Sequence, residues 1–212
     1  HPFGRDTWSR PEGGGGIARV LEGGAVFEKG GVLYSGINGK EMPPVVLQEH
    51  TEVKPGTPYF ATGLSLILHP ENPHVPTVHF NVRYFEVGRA FWYGGGMDLT
   101  PYYPVAEDCI HFHRTIKACC DRFDPAYYPR FKPWCDRYFY LPHRQEARGI
   151  GGIFFNYLRG DRAAGLDFIL ALGEAFLAAY PPIVDRRRDT PFGEGEREFQ
   201  AYRRGRYVEF NL

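Results

Sequence analysis

Hydrophobic and polar side chains alternate along two segments near the middle of the chain. The first, VHFNVRY at 78–84, has apolar side chains at its even-numbered positions and His79, Asn81 and Arg83 at its odd-numbered positions. Because successive side chains of a strand point to opposite faces, this pattern predicts a strand with one apolar and one polar face. A face of imidazole, amide and guanidinium groups suits an anionic ligand. It is equally typical of the solvated outer face of an antiparallel sheet.

The second alternating segment is GLSLILH at 63–69, with Ser65 and His69 on the face opposite to its leucines. The connection between the two segments is long for a hairpin loop, yet neighbouring strands usually pair. Antiparallel pairing would bring five polar side chains to one face of a sheet: Ser65, His69, His79, Asn81 and Arg83.

The rest of the pattern predicts a mixture of strands in hairpins and amphipathic helices. Residues 17–21 and 25–29 have the pattern of a hairpin that turns at Gly23, and residues 36–60 that of a loop. The other predicted elements are helices at 106–123, 126–140, 165–180 and 194–204, a buried strand at 149–157 and a final strand at 207–212. Together they predict an α+β fold with a mainly antiparallel sheet.

The composition argues against several classes of protein. Of the 212 residues, 43% are hydrophobic and 24% are charged, as expected of a folded domain rather than a disordered chain. The 25 Lys and Arg residues balance the 25 Asp and Glu residues, so no overall field would gather nucleic acid. No apolar run reaches the roughly 20 residues of a membrane span. We therefore expect neither a nucleic-acid partner nor a membrane span.

Cysteine usage bears on the compartment. The four cysteines include no CxxC pair, and the polar start of the chain does not have the pattern of a signal peptide. Both observations predict a reduced, cytoplasmic protein, although an organellar location is compatible with a trimmed N-terminus. Aromatic residues make up 16% of the chain, which fits a pocket for a large flat ligand as well as an ordinary core.

The segment WYGGGMDLTPYY at 92–103 combines three consecutive glycines with an acidic residue, Asp98. Glycines let a backbone approach a ligand closely or bend sharply, and Asp98 could accept hydrogen bonds from several N–H groups. The same residues also fit a turn that precedes a helix. The residues alone leave both interpretations open.

Residues 92–103 closely resemble the WFGGGxDLTPxY signature of the oxygen-dependent coproporphyrinogen-III oxidases. Further motifs of this family follow one another along the chain, at 13–16, 27–32, 79–83, 112–115, 128–136, 143–155 and 203–212. So many long motifs in a fixed order are highly specific, and the resemblance covers nearly the whole chain.

The resemblance implies a fold, an assembly and a reaction. The implied fold is a single domain over 1–212, a large antiparallel sheet flanked by helices on both faces, in a homodimer. The implied reaction converts two propionates of coproporphyrinogen III to vinyl groups, giving protoporphyrinogen IX in haem biosynthesis, with O2 as acceptor and no organic cofactor. The family normally continues past Leu212 with a C-terminal portion that holds a substrate contact and a dimer-forming region. Without that portion, a non-catalytic porphyrin(ogen)-binding protein is the alternative function.

Individual residues also receive roles from the resemblance. His79 matches the proposed proton donor, and Asp98 matches the acid thought to hold the pyrrole N–H groups of the substrate. Ser65 and the run Asn81, Val82 and Arg83 match substrate contacts.

In bacterial members of the family, four histidine positions are proposed to bind a divalent metal, and they match His69, His79, His113 and His143. Imidazole nitrogen suits transition metals in general. We nevertheless expect catalysis without a metal, because reduced pyrroles are electron-rich enough to react with oxygen themselves. His79, Arg83 and Asp98 would then suffice for binding and proton transfer.

Overall fold

The protein is built on one large antiparallel sheet. A computed structural model describes residues 2–40, 53–54 and 56–211. The strands in these ranges are β1 Gly4–Ser9, β2 Gly14–Glu22, β3 Phe27–Gly39, β4 Tyr59–Pro70, β5 Thr77–Val87, β6 Ala90–Thr100, β7 Tyr140–Leu141, β8 Glu146–Ala147 and β9 Gly151–Leu158. Seven of them form a sheet in the order β1-β2-β3-β4-β5-β6-β9, and β7 pairs with β8. Neighbouring strands are antiparallel throughout, which confirms the predicted fold class.

β4 and β5 pair in the register that their alternation requires. Ser65 lies opposite Asn81, and Ile67 lies opposite His79. On the other side of β5, His79 lies opposite Asp98 of β6. The five polar side chains of β4 and β5 therefore share one face of the sheet, as predicted, and Asp98 joins them there.

Four helices cover the apolar face of the sheet: α1 Ala106–Asp121, α2 Tyr127–Tyr138, α3 Arg162–Ala179 and α4 Pro181–Arg187. The ring of Phe80 on β5 lies 5.5 Å from that of Phe176 on α3. Phe155 on β9 stacks at 4.9 Å on Phe131 of α2. The helices predicted at 106–123, 126–140 and 165–180 are thus confirmed, while the short α4 was not predicted.

The run Arg162–Arg187, which covers α3 and α4, is by length and composition a candidate membrane span, with a mean hydropathy of 1.5. Its side chains Phe168, Leu172 and Phe176 are buried in the main core. The core helix of a folded domain can have the same composition as a membrane span. Because these three apolar side chains are buried in the core, this run packs as a core helix.

A fifth helix, α5 Glu194–Asn211, lies on the polar face of the sheet. The Gln200 side chain donates a 3.1 Å hydrogen bond to the carbonyl of Pro70, at the end of β4. Helices therefore flank both faces, as predicted. The strand predicted at 207–212 is wrong, because α5 continues through Asn211. Helical spacing puts Tyr207 and Phe210 on one side of α5, where both rings contact the Arg148 guanidinium.

Two other segments differ from their predictions. Residues 92–100 are buried in strand β6, in the middle of the sheet, so the interpretation as a turn before a helix is wrong. Within the loop predicted at 36–60, β3 extends to Gly39 and β4 begins at Tyr59. Residues 41–52 and Pro55 of that prediction lie outside the described residues.

Candidate active site

The polar face of the sheet carries two adjoining cavities that together form a trough along β4 and β5. One, of about 310 Å³, is lined by residues of β3, β4 and β5. The other, of about 230 Å³, extends under α5. Both are bordered by Ser65, Asn81 and Arg83. Small-molecule sites typically occupy roughly 300–1,000 Å³, so the trough is large enough for an organic ligand.

Arg83 is the cation of this trough. Its Nη1 donates to the Asn81 side-chain oxygen at 2.7 Å, and its Nη2 donates to that of Asn156 at 3.2 Å. Both acceptors are neutral amides, so they orient the guanidinium without cancelling its charge. Burial lowers the pKa of Arg83, which means that the cation is poorly solvated. A bound carboxylate would stabilise the guanidinium charge in place of the missing water.

Gly94 of β6 makes the position of Arg83 possible. It pairs with Arg83 across the β5–β6 ladder. A Cβ atom at Gly94 would lie only 2.7 Å from Arg83 Nε and 2.8 Å from the Asn156 side-chain oxygen. The glycine run of β6 therefore makes room for the guanidinium.

A second group of polar side chains lies where the trough runs under α5. Arg148 Nη2 donates a 2.7 Å hydrogen bond to Asp98 Oδ2, in an ion pair whose side chains are 2% and 4% exposed. His79 Nδ1 lies 3.4 Å from the same carboxylate oxygen and 3.4 Å from Arg148 Nη2. We call His79, Asp98 and Arg148 the polar triad.

The triad fixes the charge of Asp98. Burial would raise the pKa of Asp98, but the charges and hydrogen bonds of His79 and Arg148 outweigh burial and lower it. The carboxylate therefore stays ionised at neutral pH and neutralises Arg148. Among the described residues, Arg83 has no acidic partner, so its charge is available to pair with a ligand.

Aromatic rings form the walls around the triad. The Arg148 guanidinium lies 3.9 Å from the ring centre of Phe139 and 4.9 Å from that of Phe210. Tyr138 stacks on Phe154 at 4.1 Å, and both border the cavity under α5. Some of the aromatic side chains thus line a cavity, while others, such as Phe131 and Phe155, pack in the core.

The predicted site residues occupy three different positions. Ser65, His79, Asn81 and Arg83 line the cavity under α5. The Val82 side chain packs against the core on the opposite face, so only its backbone is available to a ligand in the trough. Asp98 is behind His79 and Arg148 and does not border either cavity.

The four histidines of the metal hypothesis do not meet at one point. The rings of His69 and His79 both contact Tyr207. His113 instead bonds to the Tyr128 hydroxyl and the Ile150 carbonyl, and His143 bonds to Glu209. Within the described ranges, no three His, Cys, Asp or Glu side chains are grouped so that they could hold a metal ion.

Arg148 is the main site residue that the sequence did not reveal. It belongs to the connection between β8 and β9, where sequence alternation gives no orientation. Its signals in the sequence were its place in the family motif at 143–155 and its position directly before Gly149, neither of which predicts a partner. The aromatic side chains of α5 were also missed, because that segment was predicted as a strand.

The arginine runs of the C-terminal half are engaged within the protein. Arg186 and Arg187 both bond to the buried Asp108, and Arg203 and Arg206 both bond to Glu146. These contacts hold the four guanidinium groups in intramolecular ion pairs.

An antiparallel sheet with an aromatic-walled trough, an arginine held by neutral amides and a buried His-Asp-Arg triad has the chemistry of a site for an organic anion with a proton-transfer group beside it. Comparison with known proteins narrows the class of protein. The sequence profile of the coproporphyrinogen III oxidase family matches residues 1–212. The chain belongs to that family.

Curated relatives agree with the profile. The chain is 50% identical to the oxygen-dependent coproporphyrinogen-III oxidase of Parasynechococcus marenigrum, 49% to that of Prochlorococcus marinus and 51% to that of a Synechococcus species. Each alignment covers 99% of this chain but only 65%, 67% and 65% of the respective relative. The chain thus spans about two thirds of the length of these relatives.

Proposed function

We propose that the protein is an oxygen-dependent coproporphyrinogen-III oxidase that converts two propionates of coproporphyrinogen III to vinyl groups, giving protoporphyrinogen IX. The observation that carries the proposal is the uncompensated Arg83 beside the buried polar triad. An arginine without an acidic partner suits a propionate, and the triad suits proton transfer next to it. The names of the relatives supply the substrate.

The reaction must balance for each propionate. A –CH2–CH2–COO⁻ group with O2 and one proton gives –CH=CH2, CO2 and H2O2. The side chain loses the C–COO⁻ bond and one C–H bond, and the two electrons released reduce O2. The reduced pyrrole can deliver these electrons itself, so the protein needs only to orient the propionate, supply the proton and exclude water.

Each site residue has a part in this chemistry. Arg83 anchors a propionate, and Ser65 and Asn81 line the same wall. His79 borders the cavity and serves as the proton donor. Asp98 keeps Arg148 neutralised and His79 oriented; a direct contact with pyrrole N–H groups would require His79 or Arg148 to move aside.

Incubation of the purified protein with coproporphyrinogen III, in air and under nitrogen, tests the proposal. We expect protoporphyrinogen IX and H2O2 in air and neither under nitrogen. His79→Gln should bind substrate but form little product. Binding without product in air would support the alternative, a porphyrinogen-binding protein, for which the aromatic trough and Arg83 would be sufficient.

We also propose that turnover needs no bound metal and no organic cofactor. The separation of His113 and His143 from His79 supports this proposal. Protein that is stripped by a chelator and checked by elemental analysis should keep its turnover in air. If activity vanished on stripping and returned with one divalent ion, the histidines would become ligands.

We further propose a homodimer in the cytoplasm. The exposed apolar side chains Trp8, Val20 and Leu33, which the register of β1–β3 places on one face, support an association surface there. The four cysteines are free, which fits a reducing compartment. Sedimentation of the protein and fractionation of cells that express it test the two proposals.

A further inference from the structure

The aromatic ring of Tyr207 lies over His79 where α5 crosses the sheet. The two rings are nearly parallel, with 5.1 Å between centroids and 19° between planes. The same tyrosine meets the edge of His69 at 5.2 Å. Tyr207 therefore restricts the outward face of the imidazole, while strand β5 fixes its attachment.

Polar contacts alone hold the imidazole weakly. His79 Nδ1 is 3.4 Å from Asp98 Oδ2, which is long for a hydrogen bond, and Nε2 is buried without a partner among the described residues. The second side-chain torsion of histidine has broad energy wells. Without a further contact, the ring could turn and exchange its two nitrogens.

We propose that Tyr207 is a positioning residue, whose stacked ring holds the imidazole plane of His79 so that Nδ1 stays directed at Asp98. The geometric part of this inference stands on the structure, and its effect on turnover rests on the proposed function. Proton transfer is efficient only when the correct nitrogen points at the substrate. Loss of the stack should therefore slow the chemical step.

Substrate binding should be less affected than chemistry, because the proposed propionate anchor Arg83 is held in place by Asn81 and Asn156. The role also belongs to the ring and not to the hydroxyl group. In the part of the chain that the structure describes, the Tyr207 hydroxyl has no hydrogen-bond partner. Tyr207→Phe should thus behave like the wild type, whereas Tyr207→Leu should not.

The test combines NMR of histidine-labelled protein with steady-state kinetics. The ¹⁵N shifts of the His79 ring report which ring nitrogen carries a proton. His79→Gln assigns the signals. Val208→Ala is the matched control, because Val208 is an exposed neighbour on the same helix.

We expect a single His79 tautomer, with ring-current-shifted imidazole protons, in the wild type, Tyr207→Phe and Val208→Ala. Tyr207→Leu should give mixed tautomers, lose the ring-current shift and lower kcat by roughly tenfold or more, with KM changed by less than about threefold. If Tyr207→Leu does not fold, Tyr207→Met replaces it as a flexible non-planar side chain.

Two results would overturn the inference. One is a single His79 tautomer with wild-type kcat in folded Tyr207→Leu, and the other is equal damage in Tyr207→Phe and Tyr207→Leu. If the wild type shows no turnover at all, the proposed function fails, and the tautomer measurement still decides whether Tyr207 positions His79.

Discussion

Two arginines of the site differ in their partners, and this difference separates their functions. Arg148 pairs with the buried Asp98, whereas Arg83 is held by the amide oxygens of Asn81 and Asn156. A carboxylate partner neutralises most of the charge of an arginine, whereas a neutral amide partner leaves that charge available to a ligand. Arg83 is therefore the residue whose replacement should affect affinity most directly.

Arg83→Lys should weaken substrate binding by roughly 1–3 kcal/mol, in the range of a charge-assisted hydrogen bond. Lysine keeps the charge but cannot donate to two amides and a propionate in one plane. Equilibrium binding under nitrogen measures the effect, with the exposed Arg130→Lys on α2 as control. Equal affinities for wild type and Arg83→Lys would place Arg83 outside the binding site.

Replacing Asp98 should destabilise the fold, which its sequence context did not predict. A carboxylate close to three glycines, together with the family resemblance, predicts that Asp98→Ala should inactivate the protein with little loss of stability. The buried ion pair leads to a different expectation. Removing one partner of such a pair leaves an unpaired buried charge, which typically costs about 3–5 kcal/mol.

We expect Asp98→Ala to lower the free energy of unfolding by about that amount and Asp98→Ala/Arg148→Met to recover part of it. Urea denaturation measures both. The exposed ion pair Lys117–Asp121 provides the control, since Asp121→Ala should cost less than about 1 kcal/mol. Equal losses at the two sites would show that the triad does not stabilise the fold.

At the scale of elements, α5 departs most from its sequence pattern. Tyr207-Val208-Glu209-Phe210 alternates like a strand, and Gly205 has the position of a helix-terminating glycine. In the structure Gly205 lies inside the helix, its φ is not positive, and a Cβ atom at this position would have no neighbour within 4 Å. Packing on the triad therefore outweighs the local pattern.

Gly205→Ala should consequently stabilise the protein by about 0.5–1 kcal/mol, because alanine loses less entropy than glycine in a helix interior. Thermal or urea unfolding measures the gain. Gly173→Ala in α3, where a Cβ atom would also meet nothing, should give a similar gain. A destabilised Gly205→Ala protein would instead place the helix end at Gly205, as the sequence alone suggests.

The sequence predicted those elements that have one buried face, because their hydrophobic side chains then recur at a regular spacing. β4 and β5 alternate because one face meets the core and the other the trough, so their pairing and the shared face of Ser65, Asn81 and Arg83 could be inferred. β6 could not, because it is buried on both faces and its glycines give no alternation. Arg148 could not either, since its partner Asp98 is fifty residues away along the chain.

At the scale of the whole molecule, the packing of α5 on the polar face of the sheet affects how the free energy of unfolding changes in acid. Burial, with a contribution from Arg204, lowers the pKa of His69 from its ordinary 6.5 to about 4. Between these two pH values, His69 is mostly protonated in the unfolded chain and mostly neutral in the folded protein. Stability should therefore rise as the pH increases from about 4 to 6.5.

His69→Gln should flatten this rise, by at most about 1.4 kcal/mol per pH unit for a single proton. Unfolding free energies measured across the window give the slope. His111→Gln, which removes a histidine whose ring bonds to the Ala178 carbonyl on the other side of the sheet, is the control for loss of an imidazole elsewhere in the fold. Parallel curves for wild type and His69→Gln would mean that His69 is not shielded by α5.

The single sheet that separates core from trough has a consequence for inherited variation. Between Val78 and Arg83 of β5, the odd-numbered side chains face the trough and the even-numbered side chains face the core. Missense changes along this part of β5 should then alternate between two phenotypes. One class lowers the amount of protein in the cell, and the other leaves a normal amount of protein that does not work.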